Sequence, residues 1–135
     1  MQPKTSKIIS NNLSILNNTK GKAKNTNIAL PFVVIENIKN KVLGKGYELS
    51  IAFVGTYLAK KINIQSRNKT YTPNTLSFPY EKNSGEIILC PIVIKKQAKQ
   101  NKSKYADYMA YIIIHSMLHL KGLDHGTKME KLETK

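Results

Sequence analysis

The sequence predicts an α+β fold, with a small mixed β-sheet of about four strands packed against about four helices. Two observations predict it. Residues 47–53 alternate between apolar and polar side chains, the period of a half-buried strand, whereas residues 105–120 form a long and apolar helical pattern. A chain of 135 residues has room for one compact domain, so we expect residues 1–135 to fold as a single unit.

The first elements are a strand and a helix. Apolar residues within 8–16 predict one short strand, and the Asn-, Lys- and Thr-rich segment 17–27 is typical of a loop. Pro31 suits the first position of a helix. Apolar residues recur at helical spacing from there to Val42, and Gly44 is expected to end the helix.

The middle of the chain predicts a helix and a hairpin. After the alternating strand, Thr56 is expected to cap a short helix that runs to about Ile62. Residues 75–78 and 87–90 read as two strands, joined by a turn around residues 83–85.

Two further helices complete the pattern. Pro91 can open a helix that residues 101–103 break, and Ser103 is expected to cap the final helix, which Gly122 ends. From its second turn onward the final helix is apolar on nearly every side. This pattern indicates a helix buried in the centre of the domain.

The charge balance indicates a polyanionic partner. The chain has 22 Lys and Arg against 8 Asp and Glu, a formal net charge of +14, and Arg67 is its single arginine. A compositional bias of the genome toward Asn and Lys would produce the same excess, so charge alone does not establish RNA binding. The dense run of lysines within 95–104 also has two interpretations. It is either a solvated face or a surface that binds an RNA backbone.

No apolar run approaches the roughly 20 residues that a membrane-spanning helix requires. The longest, residues 109–114, is interrupted by His115. The single cysteine, Cys90, cannot form an internal disulfide and is interpreted as a small apolar residue. Residues 1–18 lack the continuous apolar region of a secretory signal. We therefore expect a cytoplasmic protein with no membrane contact.

The three histidines of the chain, His115, His119 and His125, fall within eleven residues. The first two are four apart on the predicted helix, so their rings project from one face, as in the zinc helix of metalloproteases. Gly122 permits a chain reversal that can return His125 to the same point. Three imidazole nitrogens that leave a fourth position for water are typical of a catalytic zinc site.

Other readings of this cluster remain open. Two histidines on a buried helix can be held by hydrogen bonds alone, but unpaired imidazoles in such an apolar helix would be costly. Zinc suits imidazole, and nickel, copper and iron also accept it. Ser116 stands where H-E-x-x-H metalloproteases have their glutamate base, which disfavours peptide hydrolysis. Three neutral ligands leave the full 2+ charge on the ion, which suits a phosphodiester.

The string HSMLHLKGLDHG resembles the H-x-x-x-H-x-x-x-x-x-H signature of the YbeY family, bacterial metal-dependent endoribonucleases of rRNA maturation. The resemblance covers about residues 47–133, and it departs from the family at 70–73, where Thr-Tyr-Thr-Pro replaces an Asp-x-Pro-Thr run, and at Ser116, where the family usually has glycine. Beyond the histidines it rests on four features: Arg67, the string NTLSFP at 74–79, the string GEI at 85–87 and a short terminal helix at 129–133.

The resemblance implies a small α+β fold, one Zn²⁺ held by His115, His119 and His125, and single-stranded rRNA as substrate. It brings Arg67 to the metal cleft, where its planar fork can clamp a phosphate as the catalytic cation. The remaining expectations are that Lys69 and Asn74 contact RNA beside Arg67, and that Asp124 either orients a histidine or acts as the base.

The leading hypothesis is a zinc-dependent endoribonuclease that acts on single-stranded rRNA precursors, with a metal-bound water as nucleophile and Arg67 as phosphate clamp. Its expected partners are the small ribosomal subunit or its assembly factors, and the protein is expected to be a monomer. A second hypothesis is a ribosome-associated assembly factor with a mainly structural metal. A third, a metallopeptidase, rests only on the shared helix spacing.

Overall fold

The computed structural model describes residues 6–10, 12–19 and 28–122. These residues form five strands and four helices, which confirms the α+β class with one strand more than expected. In chain order the elements are β1 (Ser6–Ser10), β2 (Leu13–Asn18), α1 (Phe32–Val42), β3 (Glu48–Val54), α2 (Thr56–Arg67), β4 (Thr75–Glu81), β5 (Ser84–Leu89), α3 (Pro91–Gln100) and α4 (Tyr105–Leu120).

The five strands form one mixed sheet in the order β1-β2-β3-β5-β4. The central pairs, β2 with β3 and β3 with β5, are parallel. The outer pairs, β1 with β2 and β4 with β5, are antiparallel hairpins. The predicted mixed sheet is therefore confirmed, with a parallel centre between two hairpins.

The extra strand comes from residues 8–16, where the prediction of one strand was wrong. Strands β1 and β2 pair with Ser10 opposite Leu13, so the chain reverses within this segment. Asn12 lies at the reversal with a φ of 61°. Asparagine tolerates this left-handed conformation, and a tight turn of this kind interrupts the apolar pattern only briefly.

Both predicted helix caps were wrong. Gly55 is the N-cap of α2 and Thr56 is its first residue, and no side chain bonds the open amides there. At α4 the N-cap is Lys104, and the Ser103 hydroxyl instead donates to the Lys104 carbonyl oxygen at 3.3 Å. Neither of these two helix starts is therefore stabilised by a side-chain cap.

The bounds of helix α2 and of one hairpin also differ from the sequence prediction, whereas the end of α4 agrees with it. Helix α2 continues beyond Ile62 to Arg67, and Asn68 ends it in a left-handed conformation. The hairpin of β4 and β5 is longer than expected, with its turn at residues 82–83. Gly122 ends α4 as predicted: its φ is 93°, and its amide donates to the His119 carbonyl oxygen at 3.0 Å.

The core lies on both faces of the sheet. The larger part packs α1, α3 and α4 against β2, β3 and β5, and a smaller part lies between α2 and the end of β3 with β4 and β5. Leu49, Ile51 and Phe53 are all buried in the larger part, which confirms the alternation predicted for β3. Helix α4 is central, as predicted. Its buried residues are Met109, Ile112, Ile113, Ser116, Met117, Leu118 and Leu120. None of the described helices is both long and apolar enough to cross a membrane.

Gly85 allows the end of α4 to approach the sheet. A Cβ atom at this position would lie 2.6 Å from the Tyr47 hydroxyl oxygen and 2.9 Å from the Leu120 Cδ2 atom. Both side chains are buried, so neither can move aside easily. The glycine of the GEI string is therefore required by packing between β5 and α4.

We expect Gly85→Ala to lower the free energy of unfolding by about 1–3 kcal/mol, because the added methyl group overfills a packed contact. The matched control is Gly46→Ala, since a Cβ there meets nothing within 4 Å. The control should change stability by less than about 1 kcal/mol. Urea denaturation of the three proteins measures the difference, and equal stability of the two variants would contradict the packing role of Gly85.

Lys39 is a fully buried lysine on α1, and the sequence pattern does not reveal it. Its Nζ donates to the Lys45 carbonyl oxygen at 3.0 Å, which ties α1 to the loop before β3. Burial lowers the pKa of Lys39 from its usual value of 10.5, because the charged form loses hydration, and the Glu36 carboxylate partly opposes this effect.

The lowered pKa predicts a pH dependence of stability. In the window between the folded pKa and about 10.5 the unfolded chain keeps the Lys39 proton and the folded chain does not, so folding is favoured as pH rises. Relative to Lys39→Met, the wild-type protein should therefore gain stability from pH 7 to pH 10.5. The variant is the reference because the other groups that titrate in this range are common to both proteins. Parallel pH profiles of their unfolding free energies would contradict the prediction.

Candidate nucleic-acid cleft and metal site

One face of helix α4 carries Tyr111, which is exposed, and His115 and His119. The two histidines are four residues apart and partly buried. Their Nε2 atoms are 3.0 Å apart, and their rings meet edge to face with centroids 4.7 Å apart. The predicted convergence of the first two histidines is therefore present.

This pair fits either a hydrogen bond between the two rings or two ligand positions of a tetrahedral zinc ion. Two nitrogens that each lie about 2.0–2.1 Å from one such ion are separated by roughly 3.3 Å, close to the observed distance. The predicted third ligand, His125, lies outside the described residues, as does Asp124. Within the described part of the chain, no group of three or more His, Cys, Asp or Glu side chains is placed to hold a metal ion.

His115 and His119 line a cleft of about 860 Å³ that lies between the end of α2, strand β4 and helix α4. Polar and aromatic side chains dominate the lining. The lining residues are Ser66, Arg67, Tyr71, Pro73, Asn74, Thr75, Leu76, Ser77, Phe78, Pro79, Tyr108, Tyr111, Ile112, His115 and His119. The structure thus brings Arg67 and both histidines to one cavity from distant parts of the sequence.

Arg67 is the last residue of α2 and is exposed at the cleft. Its Nη1 donates to the Tyr71 hydroxyl oxygen at 3.4 Å. This contact joins two of the side chains that line the cleft, which His115 and His119 of α4 also line.

A buried asparagine anchors the loop that carries Tyr71. Asn63 has no exposed surface, and its Nδ2 donates to the Tyr71 carbonyl oxygen at 3.0 Å. The Lys69 amide donates to the Asn63 carbonyl oxygen at 3.4 Å. This loop includes residues 70–73, the segment that departs from the family pattern, and these bonds fix its course.

Ser116 ties α4 to strand β4. Its buried hydroxyl donates to the Ile112 carbonyl oxygen at 2.8 Å and lies 2.8 Å from the Thr75 hydroxyl. The Ser77 hydroxyl donates to the Ser116 carbonyl oxygen at 3.3 Å. Ser116 therefore has a structural role, and it supplies no titratable base at the position where metalloproteases have glutamate.

The two predicted RNA contacts beside Arg67 differ in position. Asn74 lines the cleft, and its Nδ2 donates to the Gln97 Oε1 atom at 2.9 Å. Lys69 is exposed on the same loop but does not line the cleft.

Cys90 is buried outside the cleft, and desolvation raises the pKa of its thiol, which fits an inert core residue.

The charge of the cleft suits an anion. Among the described lining residues Arg67 is a permanent cation, and none is Asp or Glu. The lysines of α3 and the following turn are exposed and do not line the cleft, and their exposure fits both a solvated face and contact with an RNA backbone. A cationic cavity without carboxylates attracts phosphate groups, because no fixed negative charge opposes their approach.

Tyr71 and Tyr111 are cleft residues that the sequence analysis did not single out. Both are exposed, and each lies near a residue that was predicted. Tyr111 precedes His115 by four residues and so shares its helix face, a spacing visible in the sequence. The position of Tyr71 depends on the bonds to Asn63, which spacing alone does not reveal.

The chain is similar to known proteins over most of its length. A family model described as Endoribonuclease YbeY matches residues 11–135. An endoribonuclease YbeY from Polynucleobacter asymbioticus is 40% identical over 94 residues, which are 63% of this chain and 61% of that protein. The Bdellovibrio bacteriovorus endoribonuclease YbeY is 37% identical over 110 residues, which are 77% of this chain and 73% of that protein.

A solved structure shares the fold. The solution structure of TM1509 from Thermotoga maritima aligns with a TM-score of 0.60 at 20% identity, over 90% of this chain and 84% of that one. The chain spans about three fifths of the length of the Polynucleobacter relative. From the family match over residues 11–135, the chain belongs to the endoribonuclease YbeY family.

Proposed function

We propose that this protein is a zinc-dependent endoribonuclease that cuts single-stranded rRNA precursors during ribosome biogenesis in the cytoplasm. The observation that carries the proposal is the single cleft that Arg67, His115 and His119 all line. Family membership supports an activity on RNA. The proposed partners are the rRNA precursor and the small ribosomal subunit or its assembly factors, with the enzyme acting as a monomer.

In this proposal His115 and His119 hold one Zn²⁺ together with His125. The separation of the two Nε2 atoms supports it, since that separation suits two ligands of one ion. When bound, zinc supplies a Lewis acid that lowers the pKa of a coordinated water to about 7 and offsets phosphate charge. Asp124 is proposed to orient one of the ligands, the common role of a carboxylate next to a metal-binding histidine.

Arg67 is the proposed catalytic cation. Its guanidinium is planar and can donate two parallel hydrogen bonds to phosphate oxygens, and its place at the end of α2 directs it into the cleft. Charge that develops on the phosphate as the bond breaks would be stabilised there. Asn74 and Lys69 are proposed to contact RNA, the former inside the cleft and the latter at its exterior.

A ribosome-associated assembly factor with a mainly structural metal is the second candidate. One observation favours it: the described cleft residues include no carboxylate that could act as a general base. The two candidates differ in whether bound RNA is cut.

The zinc site predicts one zinc per chain, which elemental analysis of the purified protein measures. His115→Ala and His119→Ala should each lose the metal, because two remaining ligands bind too weakly. Cys90→Ala is the control. A cysteine thiol can also bind zinc, but Cys90, the single cysteine of the chain, is buried and does not line the cleft. This variant should keep its zinc. Full zinc occupancy in His119→Ala would contradict the site.

Arg67 should affect cleavage far more than binding. One phosphate contact changes the slope of log K against log salt by about 0.7, so Arg67→Ala should still bind single-stranded RNA. Its single-turnover cleavage should be slower by about 100- to 1000-fold, because the donor acts on charge that develops in the transition state. Arg67→Lys keeps the positive charge but loses the planar guanidinium that donates two parallel hydrogen bonds. This variant should bind RNA normally and cleave it slowly.

Lys69→Ala is the matched control for Arg67, since it removes a cation from the same segment outside the cleft. It should weaken RNA binding slightly and leave single-turnover cleavage at saturating protein unchanged. Cleavage at the wild-type rate by both Arg67 variants would remove Arg67 from the mechanism. Binding by the wild-type protein without any metal-dependent cleavage would favour the assembly factor.

A further inference from the structure

Four aromatic rings form a continuous stripe along α4. Tyr108, Tyr111, His115 and His119 are spaced by three, four and four residues, so they share one helix face. Successive ring centroids are 5.8, 6.2 and 4.7 Å apart. All four residues line the cleft. The stripe therefore leads along the cleft wall to the histidine pair.

The members of the stripe differ in exposure. Tyr108 is partly buried and packs against the main core, whereas Tyr111 is 47% exposed. Tyr71, which also lines the cleft, is 53% exposed, and its hydroxyl accepts a hydrogen bond from Arg67. About half of the surface of each of these two residues therefore stays accessible. Their π faces are large apolar surfaces that a ligand in the cleft can cover.

We propose that Tyr111 and Tyr71 form a base-stacking subsite beside the phosphate site of Arg67 and the histidine pair. The inference rests on the proposed function and names how the substrate is held. Aromatic side chains stack on any nucleobase, since each base has a π face, and the cationic cleft attracts the linking phosphates.

The subsite would also explain why single-stranded RNA is the substrate. A base can insert beside Tyr111 only if it is unstacked and unpaired, and bases within an A-form duplex are neither. Selection against duplex RNA would therefore come from the tyrosines, while Arg67 and the histidines act on the phosphate. Stacking without hydrogen bonds to base edges predicts weak sequence preference.

The test combines tyrosine variants with abasic RNA. Tyr111→Leu keeps apolar bulk but removes the π face, and Tyr111→Phe restores it. Tyr57→Leu is the control because Tyr57 is 79% exposed on α2 and does not line the cleft. Each protein is titrated with a set of single-stranded RNA oligonucleotides in which one base at a time is removed. Zinc content is measured in parallel, since Tyr111 lies next to His115.

We expect Tyr111→Leu to bind intact RNA about 5- to 150-fold more weakly than the wild type, with zinc retained. The wild type should lose a similar factor when one particular base is removed, and Tyr111→Leu should be insensitive to loss of that base, because the two changes delete the same contact. Tyr111→Phe and Tyr57→Leu should bind as the wild type does. Tyr71→Leu should show the same insensitivity at that base or its neighbour.

Three results would overturn the subsite, and they are distinguishable. If the wild type binds and cuts RNA, and Tyr111→Leu binds as tightly with an unchanged abasic profile, the stacking role is wrong and the endoribonuclease function stands. Weaker binding that affects every abasic oligonucleotide equally would likewise indicate no base contact. If the wild type itself fails to bind single-stranded RNA, the proposed function fails and the subsite fails with it.

Discussion

The close packing of α4 against the sheet is the constraint on which the rest of the structure depends. At its end, Leu120 approaches β5 at Gly85, a contact that leaves no space for a Cβ atom. One turn earlier, the Ser116 hydroxyl joins Thr75 of β4. These contacts hold one face of the helix against the sheet and fix its rotation about its own axis. The histidine pair lies on another face of the helix, which lines the cleft. The packing that stabilises the fold therefore also determines where the two histidine side chains point.

Much of the fold could be predicted from local pattern. The apolar content of α4 and the glycine that ends it, Gly122, identified the central helix, and the alternation in β3 identified a half-buried strand. The first hairpin was missed because its turn at Asn12 is tight and its two strands together read as one apolar segment. Burial of Lys39 was not visible either, because it results from packing of α1 and from the Lys45 carbonyl.

The candidate site was predictable to the extent that it lies on one helix. The spacing of His115 and His119 sufficed to predict their convergence, since helix geometry alone determines it. The joining of Arg67 to these residues depends on tertiary structure, and it was expected only from the resemblance to a family. Tyr71 depends on a buried asparagine, which no local pattern identifies. The roles of His125 and Asp124 stay predictions, because both lie outside the described residues.

The central claim is that this cleft cuts RNA with the help of a metal ion. The most direct measurement is single-turnover cleavage of an end-labelled single-stranded RNA by purified protein, before chelation, after chelation and after addition of zinc. Cleavage should disappear with chelation and return with zinc, while duplex RNA of the same sequence stays intact. Cleavage that persists in chelated, zinc-free protein would contradict the claim.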